Sequence, residues 1–344
     1  MSYLAGKNKI WKGRHGPYLI AEIGGNHEGD FRYAMKLAAQ AASSGVDAVK
    51  FQIYTGADLV NRRISPDRYL HFRKFELSLD QYVSLAKVCR GKGAEFIASV
   101  WDMDSIDIMD PYLNKYKIGS GDLTAYPIIE KIARTAKPII LSTGLATLSE
   151  VLATVSFIKR VNSAYRDGKK LALLQCATLY PSPESEINLE AMRLLADKTA
   201  LTTGYSHHAE DPLALDVAVV MGAGILEFHF TDTRKGKVFR DHKVSLTRPD
   251  VAALIERIAR IKSIMGRRVK APTAAEMSSG HVRSFRRAVY LKRPIDPGRK
   301  LTSGDLVVLR PNKGIDSRDY YKLLGKKLMR KKEALSELSW RDIR

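Results

Sequence analysis

The sequence of 344 residues predicts an α/β protein, a closed (β/α)8 barrel followed by a small, basic, β-rich module. Three observations carry that expectation. Eight short runs rich in Ile, Leu and Val alternate with longer amphipathic stretches, a reactive or binding side chain stands at the end of each run, and the pattern breaks after Ile264. Strands apolar on both faces suit a parallel sheet covered by helices, and eight strand–helix units close into a barrel. An open, doubly wound sheet is the alternative arrangement of the same units.

The candidate strands are residues 18–23, 47–53, 95–100, 115–119, 138–142, 171–177, 202–206 and 225–230. Helical periodicity follows at 31–44, where Ala34, Leu37, Ala38 and Ala41 fall on one face. It returns at 79–91, 126–135, 148–161, 189–195, 212–221 and 249–264, with a weaker helix at 102–109. Residues 1–265 are thus assigned to the barrel, 266–280 to a polar linker and 281–344 to the second domain. In the last, runs at 287–291 and 306–309 are separated by Pro294, Pro297-Gly298 and Ser303-Gly304, the punctuation of a compact β-rich fold. No internal repeat is evident.

The formal charge is +20, and residues 281–344 hold 18 Lys/Arg against seven Asp/Glu, so more than half of it falls in the last fifth. Such a density suits a polyanion or a solvated basic face; the second is preferred, and no nucleic-acid partner is expected. No apolar run approaches the ~20 residues of a membrane span, and the N-terminus lacks an apolar signal-peptide core. Two cysteines, Cys89 and Cys176, make no disulfide framework. A cytoplasmic protein without membrane attachment is expected.

Barrel enzymes build their sites at the C-terminal strand ends. Glu22 ends the first candidate strand; Lys50 and Gln52 lie on the second, Ser99 on the third, Lys117 and Ser120 on or just after the fourth. Ser142 ends the fifth, Thr178 and Tyr180 follow the sixth, Ser206 ends the seventh with His208 just beyond it, and Glu227 and His229 lie on the eighth. Ammonium groups, hydroxyls and the backbone N–H groups around Gly119, Gly121 and Gly144 are what a phosphate and a carboxylate need. His208 and His229 end adjacent strands and could meet as ligands of a divalent metal. His207 competes for that place, although neighbouring side chains diverge on extended backbone.

These residues occur in recognisable motifs: Ile20-Ala21-Glu22-Ile23-Gly24 with Asn26-His27, Val49-Lys50-Phe51-Gln52, and Tyr116-Lys117-Ile118-Gly119-Ser120-Gly121-Asp122. Ile140-Leu141-Ser142-Thr143-Gly144, Gln175-Cys176 with Tyr180-Pro181, Gly204-Tyr205-Ser206 with His208, Glu227 with His229-Phe230, and Asp241-His242-Lys243 follow. In this order they resemble the N-acetylneuraminate (sialic acid) synthases and related nonulosonic acid synthases over most of the chain. The tail resembles their antifreeze-like (SAF) domain, with Arg310-Pro311 at its substrate-reaching motif.

The resemblance implies a TIM barrel with a SAF domain, in which phosphoenolpyruvate condenses with the open-chain aldehyde of an N-acetylated amino sugar. The products are a nine-carbon α-keto acid and phosphate. It implies that His208 and His229 hold Mn²⁺ or Mg²⁺, and that Lys50, Ser99, Lys117, Ser120, Ser142, Thr178 and Ser206 hold phosphoenolpyruvate. Glu22, Gln52, Tyr180 and Asp241 would contact the sugar, with Glu22 handling protons. A domain-swapped homodimer is implied, in which Arg310 reaches the partner's site. The chain departs from the usual pattern at His207, Ser99, Val100-Trp101, Ala177-Thr178, Phe239-Arg240 and Arg286-Arg287, mostly on the sugar-facing side. Two other readings are a class I aldolase with Lys117 or Lys50 as Schiff base, and a non-catalytic polyanion-binding protein using the basic tail.

Overall fold

A computed structural model describes residues 9–344, and eight parallel strands dominate its first unit. They are β1 (Gly16–Glu22), β2 (Ala48–Ile53), β3 (Glu95–Val100), β4 (Tyr116–Ile118), β5 (Ile139–Ser142), β6 (Leu171–Gln175), β7 (Thr202–His207) and β8 (Ile225–His229). Each pairs with the next, and β8 pairs with β1 from Tyr18↔Ile225 to Glu22↔His229, which closes the barrel. The helices that follow them are α1 (Phe31–Ala42), α2 (Leu79–Gly91), α3 (Met103–Met109), α4 (Tyr126–Arg134), α5 (Leu148–Val161), α6 (Glu190–Thr199), α7 (Leu213–Val220) and α8 (Arg248–Met265). The open-sheet alternative is therefore excluded.

Side chains alternate across each strand. Leu19, Ala21, Val49, Phe51, Phe96, Ala98, Leu141, Leu173 and Phe228 pack outward in the large core beneath the helices. Tyr18, Ile20, Ala48, Ile97, Ile140, Ala172, Leu174 and Ile225 form a separate cluster inside the barrel. Trp11 joins that cluster from the N-terminal side, its Nε1 donating to the Lys169 carbonyl at 2.9 Å, and so plugs the lower end.

Three helices depart most from the sequence-based expectation. The helix expected at 189–195 runs on to Thr199 and stops at Ala200, a non-glycine residue at φ +56°, so no glycine marked its end. The connection after β2 also carries two unexpected helices, Gly56–Leu59 and Pro66–Phe75. Phe75 is the sole buried residue of the second, so no core-facing stripe betrayed it.

The second unit spans Arg267–Arg344. Its polar opening stretch contains the short helix Ala274–Ser278, capped by Thr273. β9 (Ala288–Leu291) pairs antiparallel with β10 (Leu306–Leu309) over a core that includes Val289, Leu291, Ile295, Leu301, Leu306, Leu328 and Leu338.

This unit does contain a repeat, contrary to the expectation from sequence. The buried carboxylates Asp305 and Asp342 each accept from the backbone and hydroxyl of the residue three before, Thr302 and Ser339, and each takes an arginine, Arg293 and Arg330. Lys292 N donates to Asp305 O as Met329 N donates to Asp342 O. Gly298 N bonds Leu328 O as Leu335 N bonds Leu291 O, and Ile295 and Lys332 exchange both bonds. All these pairs share one offset, that from 305 to 342, which describes an internal pseudo-twofold. The repeat leaves a short trace in sequence, Leu301-Thr302 with Asp305-Leu306 against Leu338-Ser339 with Asp342-Ile343, which the sequence reading missed because the flanking residues differ. It also employs several of the tail's cations internally. Among the described residues no helix is long and apolar enough to cross a membrane.

Candidate active site

A cavity of about 530 Å³ opens at the C-terminal ends of the barrel strands. Of the fourteen site residues read from the sequence, thirteen line it: Glu22, Lys50, Gln52, Ser99, Lys117, Ser120, Ser142, Thr178, Tyr180, Ser206, His208, His229 and Asp241. Strand parity explains why. Lys50 and Gln52, or Glu227 and His229, stand two apart and share the inward face. His207 has the opposite parity; it lies against Tyr205, whose hydroxyl is 3.3 Å from its Nδ1, and does not line the cavity. It is therefore no rival to His208. The fourteenth residue, Arg310, belongs to the second unit, where its guanidinium lies 5.4 Å over the Phe285 ring.

The cavity floor is a buried lattice of charge. Lys50 Nζ stands 2.7 Å from Glu22 Oε2 and donates to Ser99 Oγ at 3.4 Å. Lys117 Nζ donates to Ser142 Oγ at 2.7 Å and lies 3.5 Å from Glu227 Oε1, which also accepts from Ser206 Oγ at 3.0 Å. No role for Glu227 was read from the sequence, yet its place two residues before His229 was the available signal.

The two carboxylates diverge. Burial dominates at Glu22 and pushes it up to about 7 despite Lys50. At Glu227 burial is outweighed by Lys117 and Lys50, with help from the Ser206 bond, and the carboxyl falls to about 2. One carboxylate is thus fixed as an anion while the other can exchange a proton near neutrality. Burial also lowers Lys117, whereas Lys50 is raised because its two carboxylate neighbours outweigh burial.

Above the floor, the His208 and His229 rings meet edge-on, with centroids 5.5 Å apart and planes inclined by 63°. Burial and mutual proximity push His208 down to about 3; burial and Lys50 do the same to His229. Both are neutral imidazoles. His208 Nδ1 lies 2.7 Å from the Ala177 carbonyl and must donate to it, so Nε2 keeps its lone pair and accepts from the Tyr180 hydroxyl at 3.1 Å. His229 Nδ1 and Asp241 Oδ1 are buried with no hydrogen-bond partner, and Asp241 Oδ2 is 3.8 Å from that Nδ1. Two neutral imidazoles, one whose Nε2 is engaged only by a phenol and one whose Nδ1 has no partner, beside a carboxylate oxygen without a hydrogen bond fit a divalent cation that draws its other ligands from water or substrate. Among the described residues no cluster of three or more His, Cys, Asp or Glu offers a complete protein ligand set.

Backbone shape matters at two glycines. A Cβ on Gly144 would lie 2.4 Å from Thr178 Oγ1 and 2.9 Å from Ser120 Oγ. Gly24 adopts φ +53°, and a side chain there would press on Glu22 and His229.

The outer wall was read from sequence only in part: Trp101 and Phe239-Arg240 stood out as departures on the sugar-facing side, while Arg68, His71, Phe72 and Phe75 were missed. Arg68, His71, Phe72 and Phe75 come from the unexpected helix Pro66–Phe75, and Trp101, Phe239 and Arg240 from loops. Trp101 stacks on Tyr54 at 5.2 Å, and His71, Phe75 and Phe239 form a three-ring cluster in which Phe75 contacts both His71 at 4.5 Å and Phe239 at 5.0 Å. Cys176, also at the cavity, contacts Ser120 Oγ at 3.0 Å.

A closed barrel with paired lysines and carboxylates beneath two neutral histidines defines a barrel enzyme with a buried, charged pocket at its C-terminal strand ends. The chain belongs to the NeuB family, whose sequence profile matches residues 37–270, and the SAF domain profile matches residues 286–344. The family resemblance read from the motifs is correct. The chain is 32% identical over 341 residues to the N,N'-diacetyllegionaminic acid synthase of Legionella pneumophila, covering 95% of this chain and 94% of that protein. It is 30% identical to the human N-acetylneuraminate-9-phosphate synthase, covering 92% and 90% respectively. The crystal structure of the N-acetylneuraminic acid (sialic acid) synthetase of Leptospira borgpetersenii, in complex with citrate, superimposes with a TM-score of 0.70. It shares 28% identity, with 77% of this chain and 90% of that one covered.

Proposed function

We propose that the protein condenses phosphoenolpyruvate with the open-chain aldehyde of an N-acetylated amino sugar of the N-acetylmannosamine type, producing a nonulosonic acid and phosphate. The observation that carries this reading is the charge lattice of the floor, with two buried lysines, a ring of hydroxyls and two carboxylates of opposed proton affinity. The named relatives agree with it.

In the reaction, the methylene carbon of phosphoenolpyruvate forms a bond to the aldehyde carbon, the aldehyde oxygen gains a proton, water adds to the adjacent carbon, and phosphate leaves. Lys50 and Lys117 supply fixed positive charge to the phosphate and carboxylate; Ser99, Ser120, Ser142, Thr178 and Ser206 supply hydroxyls around them. Glu227 remains ionised and anchors Lys117. Glu22, poised near 7, can deliver or accept the proton that moves at the new hydroxyl or the attacking water. Gln52, Tyr180 and Asp241 orient the sugar. His208 and His229 would hold Mn²⁺ or Mg²⁺, which supplies Lewis-acid polarisation of the aldehyde when bound. Homodimerisation belongs to the same proposal: Arg310 is exposed and pairs with no carboxylate among the described residues, leaving it available to a partner's sugar.

Phosphate release from phosphoenolpyruvate across a panel of amino sugars tests the proposal, with the chelated enzyme measured before and after adding Mn²⁺. Release that needs both sugar and metal supports it. No release with any sugar, or metal-independent turnover with borohydride trapping on Lys117, would overturn it.

A further inference from the structure

The pseudo-twofold of the second unit builds one backbone frame twice, and the two copies carry different side chains. The offset from Asp305 to Asp342 also relates Lys300 to Glu337, Tyr290 to Lys327 and Val307 to Arg344. In the first copy Tyr290 lies directly opposite Val307 on one side and Glu337 on the other. That row satisfies itself: the Tyr290 hydroxyl donates to the Pro311 carbonyl at 2.7 Å, and Glu337 pairs with Lys313 at 3.3 Å. In the second copy Lys327 lies directly opposite Lys300 on one side. On the other it exchanges both backbone bonds with Arg344, each at 2.9 Å.

Three cations therefore stand in one line across three strands. Opposed residues on paired strands are about 5 Å apart, so the line is about 10 Å long. The neighbouring residues Leu301, Leu328 and Ile343 pack on the core, which turns Lys300, Lys327 and Arg344 toward solvent, and all three are exposed. None has an ion pair among the described residues. Like charges directly opposed across strands repel, and the first copy shows that the frame does not need them. The row lowers the stability of the fold slightly and has no structural use.

The chemistry of the row points to its partner. Two of the three cations are lysines, hydrated point charges on long stems, which suit a diffuse negative field better than a bidentate site. Two residues beyond Lys327, past the buried Leu328, Met329 is 50% exposed and adds an apolar side chain. A hydrated polyanion has no use for that group, whereas a bilayer interface takes cations and an apolar side chain together. We propose that Lys300, Lys327 and Arg344, with Met329, dock the protein on an anionic lipid surface. This peripheral attachment was not expected from the sequence, needs no membrane-spanning segment and does not depend on the synthase reading.

Co-sedimentation of the full-length protein with vesicles tests it, at about 0.1 M salt. The vesicles are phosphatidylcholine alone or with about one third phosphatidylglycerol. Binding is expected only with the anionic lipid. It should fall about 25-fold when Lys300→Gln and Lys327→Gln are combined, about fivefold for each cation removed. Met329→Ser should lower vesicle binding about threefold and leave any binding to a DNA duplex unchanged. Lys87→Gln with Lys92→Gln, on exposed barrel lysines, removes the same charge and should have no comparable effect. The melting temperature of the row variant should hold or rise as repulsion is relieved. No binding to the anionic vesicles would overturn the proposal, as would equal loss in the barrel control, which would reduce the effect to net charge. So would a DNA duplex held by the row while vesicles stay free, or a row variant that melts lower than wild type.

Discussion

The lower and upper halves of the barrel interior are built by the same strands and differ by a single step of two residues. Ile20 gives way to Glu22, Ala48 to Lys50, Ile97 to Ser99, Ile140 to Ser142 and Ile225 to Glu227. Below that step the interior is dry and apolar, and burial stabilises it at about 25 cal/mol per Å². Above it, equally inaccessible positions hold charges whose desolvation costs several kcal/mol per ion before pairing offsets it. The lower half holds the barrel together, and the upper half spends some of that stability on chemistry.

Four substitutions test that division, in descending order of effect. Lys117→Met removes a floor cation and leaves Glu227 buried with Lys50 as its nearest remaining cation. Breaking a buried pair in this way costs about 3–5 kcal/mol. We expect kcat/KM for phosphoenolpyruvate to fall at least about 1,000-fold, and the melting temperature to fall and then recover when Glu227→Gln is added. A lone Lys117→Met with unchanged stability would show that the floor charges are not coupled. Ile140→Ala, one step lower on β5, should cost about 2–4 kcal/mol in denaturant titration and leave the pH profile of turnover unaltered.

Glu22→Gln is next. Its folded carboxyl, near 7, lies above the ordinary 4.5, so the native state holds the extra proton between those values. Stability contributed by that proton is present below about 4.5 and is lost as pH rises to about 7. The variant should lack this decline and lose the kcat limb near 7, with turnover reduced about 100-fold. A limb that persists would move the proton-handling role elsewhere. Ser99→Ala is the mildest, because its contact with Lys50 is long at 3.4 Å; a KM increase for phosphoenolpyruvate of about threefold is expected.

Much of this division could be read from sequence because alternation on a strand is physically strict. Ile20 and Glu22 must share a face, as must Glu227 and His229, and His207 must leave the face that His208 occupies. What escaped has a different origin. Pro66–Phe75 carries charge around nearly its whole circumference, and Arg68 or His71 gains meaning only where this helix meets Phe239 from a distant loop. The opposed proton affinities of Glu22 and Glu227 depend on which lysine each one meets, which residue type alone does not reveal. The pseudo-twofold of the second unit had only a six-residue trace, 301–306 against 338–343, and becomes evident through the partners that Asp305 and Asp342 share.

The plug formed by Trp11 has a consequence for kinetics. Trp11 packs at the lower end while the cavity opens at the C-terminal strand ends, so on the proposed chemistry a phosphoenolpyruvate held by the buried Lys50 and Lys117 would lie deeper than the sugar. On that proposal the deeper guest is expected to arrive first and to be trapped by the later one, a compulsory-order scheme in which raising the sugar concentration suppresses escape of bound phosphoenolpyruvate. Pulse-chase partitioning of labelled phosphoenolpyruvate would register that order as a commitment that rises toward unity with sugar.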